Sequence, residues 1–234
     1  MNQKQIASLE KHIASDYDNL AGMVILQNGK LASYDIDKGT LQGLVENSGA
    51  IIADNGVVHL TAAAELQLGR AVVNHTGYIQ ANRLETNAKG EIVLLGDLSN
   101  GAANISGSLV SEGKNGQAGG FIETSAATVN IADTAHVSTQ AEAGGKAGKW
   151  LIDPVDFVVA ATGGNMTGVA LNAALKNTDV TIQTTDTEAT VSADPSLTAN
   201  AQGQGSISIN DAIKWDSGKT LTLDADNNIY INHF

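Results

Sequence analysis

The chain has no cysteine, only two prolines, and an aromatic content of 4%. Without cysteine there are no disulfides, no thiolate zinc sites and no cysteine nucleophile. Basic residues are also scarce: 13 Lys and Arg stand against 25 Asp and Glu, a formal net charge of −12. Nucleic acid is therefore not expected as a partner, because neutralising phosphates needs a basic surface. No apolar run reaches 18 residues, so no membrane insertion is expected. The first twelve residues, Met1 to His12, are polar and lack the apolar stretch of a signal peptide. If the protein is extracellular, its export signal is expected to lie outside this sequence.

What is present is small and aliphatic. The 234 residues are 42% hydrophobic and include 25 glycines. With so few aromatics, a core must come from Val, Ile, Leu and Ala, with many tight turns between short strands. The stretch from Gly119 to Pro154 shows the texture: short β-type runs such as Phe121-Ile122-Glu123-Thr124 and Trp150-Leu151-Ile152, separated by turn residues, with no 3.6-residue apolar stripe.

That texture repeats. Val45 to Ala53 aligns with Val73 to Ala81, an offset of 28 residues. A third copy runs from Ala103 to Ser111, 30 residues further, and a weaker fourth from Ile131 to Thr139, 28 beyond that. Each copy has an apolar or small residue at its first and seventh positions, and the first three have glycine at the fifth. A second β run follows each copy: Val57–Leu60, Glu91–Leu95, Phe121–Glu123 and Trp150–Ile152. One such unit has too little core to stand alone, whereas stacked copies bury a continuous aliphatic column. The spacing predicts an all-β parallel β-helix, a β-solenoid, with short helical or loop insertions.

Residues 1–19 form a separate segment, a short helix (Ile6, Leu9, Ile13) or a frayed end, and the β-helix array is expected over 20–234. Insertions are expected near 62–68, 163–177 and 184–204. In the second, Val169, Leu171, Ala174 and Leu175 predict a short helix leaning on the solenoid. Strands return at Ser206–Asn210, Thr220–Leu223 and Ile229–Asn232. A strand so close to Phe234 predicts an open end prone to self-association.

Several groups invite a chemical reading, and each has a plainer one. Asp153 and Asp156 flank Pro154 and could serve acid/base work or Ca²⁺; a turn in which Asp153 accepts backbone bonds explains them as well. Asp224-Ala225-Asp226-Asn227-Asn228 lacks the glycine and terminal glutamate of a calcium loop and reads as a turn. His75 and His136 occupy neighbouring repeat positions, but a tetrahedral site needs three or four ligands; His12, His59 and His233 add no i, i+4 pair. Gly144 to Lys149 is one residue short of a phosphate-binding loop and leads into a strand. Trp150 and Trp215 could be exposed sugar-stacking platforms, though their apolar neighbours favour core or coil-edge packing. No catalytic, cofactor-binding or metal-binding residue is expected, and no cofactor.

The phrases Gly119-Gly120-Phe121-Ile122-Glu123-Thr124-Ser125 and Gly148-Lys149-Trp150-Leu151-Ile152-Asp153-Pro154 resemble the filamentous haemagglutinin-like exoproteins of two-partner secretion. Gly43–Ile51, Val58–Ala64, Asp179–Thr184 and Ile209–Trp215 extend the resemblance over about 40–234. It implies a right-handed parallel β-helix and a non-catalytic, adhesive stalk segment of a secreted bacterial surface protein. The partner would be a receptor or glycan on a host or neighbouring cell. The outer-membrane secretion partner would act only through a domain missing here, since the signal peptide and the Asn-Pro-Asn-Gly motif of that domain are not in this sequence. Alternatives are a β-helix polysaccharide lyase or hydrolase, and the stalk of a haem-acquisition or contact-dependent toxin exoprotein.

Overall fold

The computed structural model describes residues 22–27, 30–36, 43–62, 71–142, 145–185 and 203–233. The expected segment 1–19, most of the insertion near 62–68 and residues 186–202 of the insertion near 184–204 lie outside them.

The chain opens with β1 (Gly22–Gln27) and β2 (Lys30–Ile36), an antiparallel pair. Four three-sided coils follow. The first contains β3 (Gly43–Asn47), β4 (Ala50–Ile52) and β5 (Val57–Thr61); the second β6 (Ala71–His75), β7 (Tyr78–Gln80) and β8 (Glu91–Leu95). The third contains β9 (Ala102–Ile105), β10 (Ser108–Val110) and β11 (Phe121–Ser125); the fourth β12 (Thr128–Ile131), β13 (His136–Ser138) and β14 (Lys149–Asp153). Like strands stack in parallel. β3, β6, β9 and β12 make one four-stranded face, and β4, β7, β10 and β13 make a second. The third face begins with β1 and β2, runs through β5, β8, β11 and β14, and continues into β16 (Asp179–Gln183) and β18 (Leu221–Asp224). The protein is a parallel β-helix.

The alternation of side chains explains the core. Along the eight-stranded face, Val58, Ile92, Ile122, Trp150 and Val180 stack inward in register, all at most 1% exposed. Leu60, Leu94, Thr124, Ile152 and Ile182 form the adjacent inward column. Each column buries apolar area that a single coil would leave in water. Trp150 enters this aliphatic stack because its indole N–H donates to Thr124 Oγ1 at 3.1 Å, so no buried donor is orphaned.

The first three repeat copies stand in the register their spacing predicts: Val45 pairs with Val73, and Val73 with Ala103. The fourth departs from it. Val129, not Ile131, lies beside Ala103, and Ile131 lies beside Ile105. Leu109 still pairs with Val137, as expected. The difference is taken up at the corner. Two residues link paired positions in the earlier copies (Ser48-Gly49, Thr76-Gly77, Ser106-Gly107), whereas Ala132 to Ala135 link them in the fourth. The two-residue corner depends on glycine. A Cβ on Gly107 would lie 2.2 Å from the Gly77 carbonyl oxygen. Ala135 stands where that glycine would be, and the longer corner relieves the contact.

After β14 the cross-section changes. β15 (Phe157–Val159) pairs with β17 (Ile207–Ile209), and that with β19 (Ile229–Ile231). The helix α1 (Gly168–Ala174) packs on β13, where a fifth strand of that face would lie. The expected helix exists, with Thr167 as its N-cap, but its apolar face is shifted. Ala170, Leu171, Ala174 and Leu175 are buried, while Val169 is 67% exposed. Val169 and Leu171 are two positions apart and so cannot share one helical face.

Candidate functional site

The corner leading from the second face to the third differs between coils. In the first coil it is short, residues 53–56. In the next three it is ten residues long, 81–90, 111–120 and 139–148. These long corners are stacked on one another. Arg83 bridges Gly113, and Gly113 bridges Ala141, in parallel fashion. The Asn82 side-chain oxygen accepts from the Glu112 N–H at 2.8 Å. Asn87 and Asn115 take left-handed backbone (φ 67° and 53°) at the tips, a conformation asparagine tolerates better than most residues.

The chain returns from each corner through a glycine: Gly90, Gly120 and Gly148, one residue before β8, β11 and β14. A Cβ on Gly120 would lie 2.0 Å from the Gly90 carbonyl oxygen, and one on Gly148 would lie 1.9 Å from that of Gly120. Backbone meets backbone here, and only glycine fits. The stacked corners make one wall and the outer surface of the eight-stranded face makes the other. Between them lies an open groove of about 550 Å³.

Three cations line this groove: Arg83, Lys89 and Lys149. Arg83 is held in place. Its stem lies over Gly90, whose Cβ would meet Arg83 Cγ at 2.2 Å. Its Nε donates to the Ala88 carbonyl at 3.0 Å and its Nη1 to that of Gly119 at 3.4 Å. Lys89 and Lys149 are exposed. Among the described residues, none of the three has a carboxylate within salt-bridge distance. Lys149 stands in register with Asp179, but the Asp179 carboxylate accepts from the Thr220 backbone N–H at 2.8 Å. Phe121, half-buried, and the residues Thr181 and Thr222 complete the floor. Lys114, at the outer tip, contrasts with the groove cations: it pairs with Glu112 at 2.7 Å and Glu142 at 3.8 Å. Burial would raise the Glu112 carboxyl, but bonds from Lys114 and Ser138 outweigh it and hold the group below its ordinary value.

The groups singled out in the sequence fall elsewhere. Asp153 and Asp156 do not converge. Asp156 accepts the backbone bonds, from Ser206 N–H at 2.7 Å and Gln204 N–H at 3.1 Å, which corrects the expectation that Asp153 would. Asp153 faces outward beside Ser125 and accepts from Thr185 Oγ1 at 3.3 Å. Burial pushes its carboxyl up, and the nearby Glu123 charge adds to this. His75 and His136 also stay apart. His75 points into the core from β6, and His136 is exposed on β13. No cluster of three metal-ligating residues occurs among the described residues. Lys149 opens β14 as a strand. Asp224 ends β18, and the turn after it is tied by the Asn227 N–H to the Gly205 carbonyl at 2.9 Å. Trp150 is core, as expected. Trp215 is 40% exposed, outside the core, and satisfies its indole N–H on the Lys219 carbonyl.

No sequence motif marks the groove itself. Arg83 and Lys89 come from one coil and Lys149 from two coils later, so no local pattern contains them. Only lysine spacing taken modulo the repeat would bring them together. Comparison of the chain with protein-family models, with curated proteins and with solved structures finds no match.

Proposed function

We propose that this chain is a non-catalytic, adhesive β-helix stalk segment of a secreted bacterial surface protein, which mediates attachment to a receptor or glycan on another cell. One observation carries the reading: the unbroken parallel register of β5, β8, β11, β14, β16 and β18. Such a stack advances about 4.8 Å per coil and makes a stiff spacer whose outer surface is free to vary. The aliphatic columns need no ligand to hold them together. The groove supports recognition better than hydrolysis, because among the described residues its one lining carboxylate, Asp179, already accepts from the Thr220 backbone N–H. An inverting or retaining glycoside hydrolysis needs two carboxyl groups flanking the scissile bond.

The test is adhesion of beads coated with the purified chain to bacterial and epithelial cells, run beside an assay for cleavage of acidic polysaccharides. Retention of coated over albumin-coated beads, with no release of oligosaccharide, is the expected result. Cleavage products would replace this reading with that of a polysaccharide lyase or hydrolase.

A further inference from the structure

We infer that the groove between the stacked corners and the eight-stranded face binds an acidic polysaccharide, of uronate type, along the solenoid axis. The inference rests on the adhesive reading and names the ligand class of its site.

Charge comes first. In a chain of net charge −12, isolated surface cations would be expected to find carboxylates. Among the described side chains only Lys114 does so. Lys146, Lys176, Lys214 and Lys219 also have no carboxylate within salt-bridge distance, and what sets Arg83, Lys89 and Lys149 apart is where they lie. They converge on one groove and leave their positive charge to whatever enters it. Their axial placement matters too. Lys89 precedes β8 and Lys149 opens β14, two coils on, a rise of roughly 10 Å. Anionic groups spaced along an extended chain can engage both at once.

The rest of the lining suits a sugar. Thr222 offers an exposed hydroxyl, and Phe121 presents a half-exposed ring to the C–H face of a pyranose. The floor is the face of a sheet whose backbone groups are already paired between strands. An extended peptide recognised through its main chain needs a free strand edge; among the described strands the free edge here is that of β18, at the far end of the groove from Arg83 and Lys89. A nucleic acid would meet the acidic remainder of the surface, which repels a dense phosphate backbone.

The experiment uses the whole chain and a size-defined oligogalacturonate in calorimetric titration at low salt. The expected result is binding that weakens with added salt. The double variant Lys89→Glu/Lys149→Glu should lose roughly tenfold or more in affinity. Lys214→Glu, an exposed lysine outside the groove lining with the same charge change per site, should bind like the parent. Both groove lysines are exposed, and matching circular dichroism and melting curves check that the variants fold. Three results would overturn the inference: equal loss in Lys214→Glu, no loss in the double variant, or equal affinity for a neutral malto-oligosaccharide. Effective competition by duplex DNA would overturn it as well, by showing charge attraction alone. Bead adhesion that survives in the double variant would sink the groove assignment and leave the adhesive reading standing, whereas adhesion absent from the parent chain would sink the latter.

Discussion

Inside the solenoid the Asn47 side-chain amide donates to His75 Nδ1 at 3.2 Å. The two residues are in register on neighbouring coils, β3 and β6, and are 8% and 0% exposed. His75 Nε2–H donates in turn to the Ser108 carbonyl at 3.0 Å. This pattern uses the neutral imidazole fully: one nitrogen accepts, the other donates. Protonation would set a second N–H against the Asn47 amide. Burial holds the imidazole below its ordinary value of 6.5, opposed in part by the bond to Ser108.

The pH dependence of stability follows from this pair. His75 takes a proton more readily in the unfolded chain than in the folded one. Its contribution to stability is complete above 6.5 and is lost progressively as the pH falls below that value. The slope is at most about 1.4 kcal/mol per pH unit for one proton. Urea unfolding at pH 7 and pH 5 should show lower stability at pH 5. The double variant Asn47→Leu/His75→Leu removes both polar partners together and should flatten that slope.

Asp153 acts in the opposite sense. Its carboxyl is raised in the folded chain, by burial and by the Glu123 charge. Relative to the unfolded chain it favours folding at acid pH, and this contribution is lost as the pH rises through the folded value. Asp153→Asn keeps an acceptor for Thr185 and removes the charge. Thermal melts should therefore place the variant above the parent at pH 7, with the difference shrinking toward pH 4. A variant that melts lower at pH 7 would contradict the assignment.

The glycine corners divide into those that can carry a side chain and those that cannot. Gly148→Ala would set a Cβ 1.9 Å from the Gly120 oxygen and should cost about 3 kcal/mol or more, enough to separate the coils locally. A Cβ on Gly49 would meet nothing within 4 Å, and Gly49→Ala should change stability by no more than about 0.5 kcal/mol. Denaturant midpoints of the two variants, measured side by side, make the comparison.

Ile229 and Ile231 continue two inward columns. Ile229 lies on Ile207 and Phe157, and Ile231 on Ile209 and Val159. The underlying residues are at most 1% exposed, yet Ile229 and Ile231 are 43% and 47% exposed. An apolar pair beside an edge of β19 that no described strand pairs favours association. Sedimentation velocity on this chain should show concentration-dependent oligomers, and Ile229→Lys/Ile231→Lys should shift the distribution toward monomer. A concentration-independent monomer in the parent would refute this.

Part of this fold is legible in the sequence because a solenoid converts sequence period into spatial register. The 28- to 30-residue offsets alone place Val45, Val73 and Ala103 side by side, and there they stand. The fourth copy misleads by two residues because its glycine-free corner lengthens while the following strand keeps its place. Period-two alternation within β6 marks His75 as inward, in step with Val73. The repeat is recognised by its apolar first and seventh positions, and these carry no signal of the polar pair buried at the third.

The sequence by itself determined the class of structure: an aliphatic, glycine-rich repeat can bury its apolar positions only by stacking like on like. It also determined the register of the first three copies, since each coil inherits the alternation of the one before. What only the tertiary structure decided is how separate coils meet. Arg83, Lys89 and Lys149 share a groove because three corners of equal length stack into one wall. Asp156 rather than Asp153 holds the backbone of residues 204 and 206, because the chain returns on that side of Pro154. Contacts between coils depend on corner length and on close backbone approach at Gly120 and Gly148, and local pattern alone specifies neither.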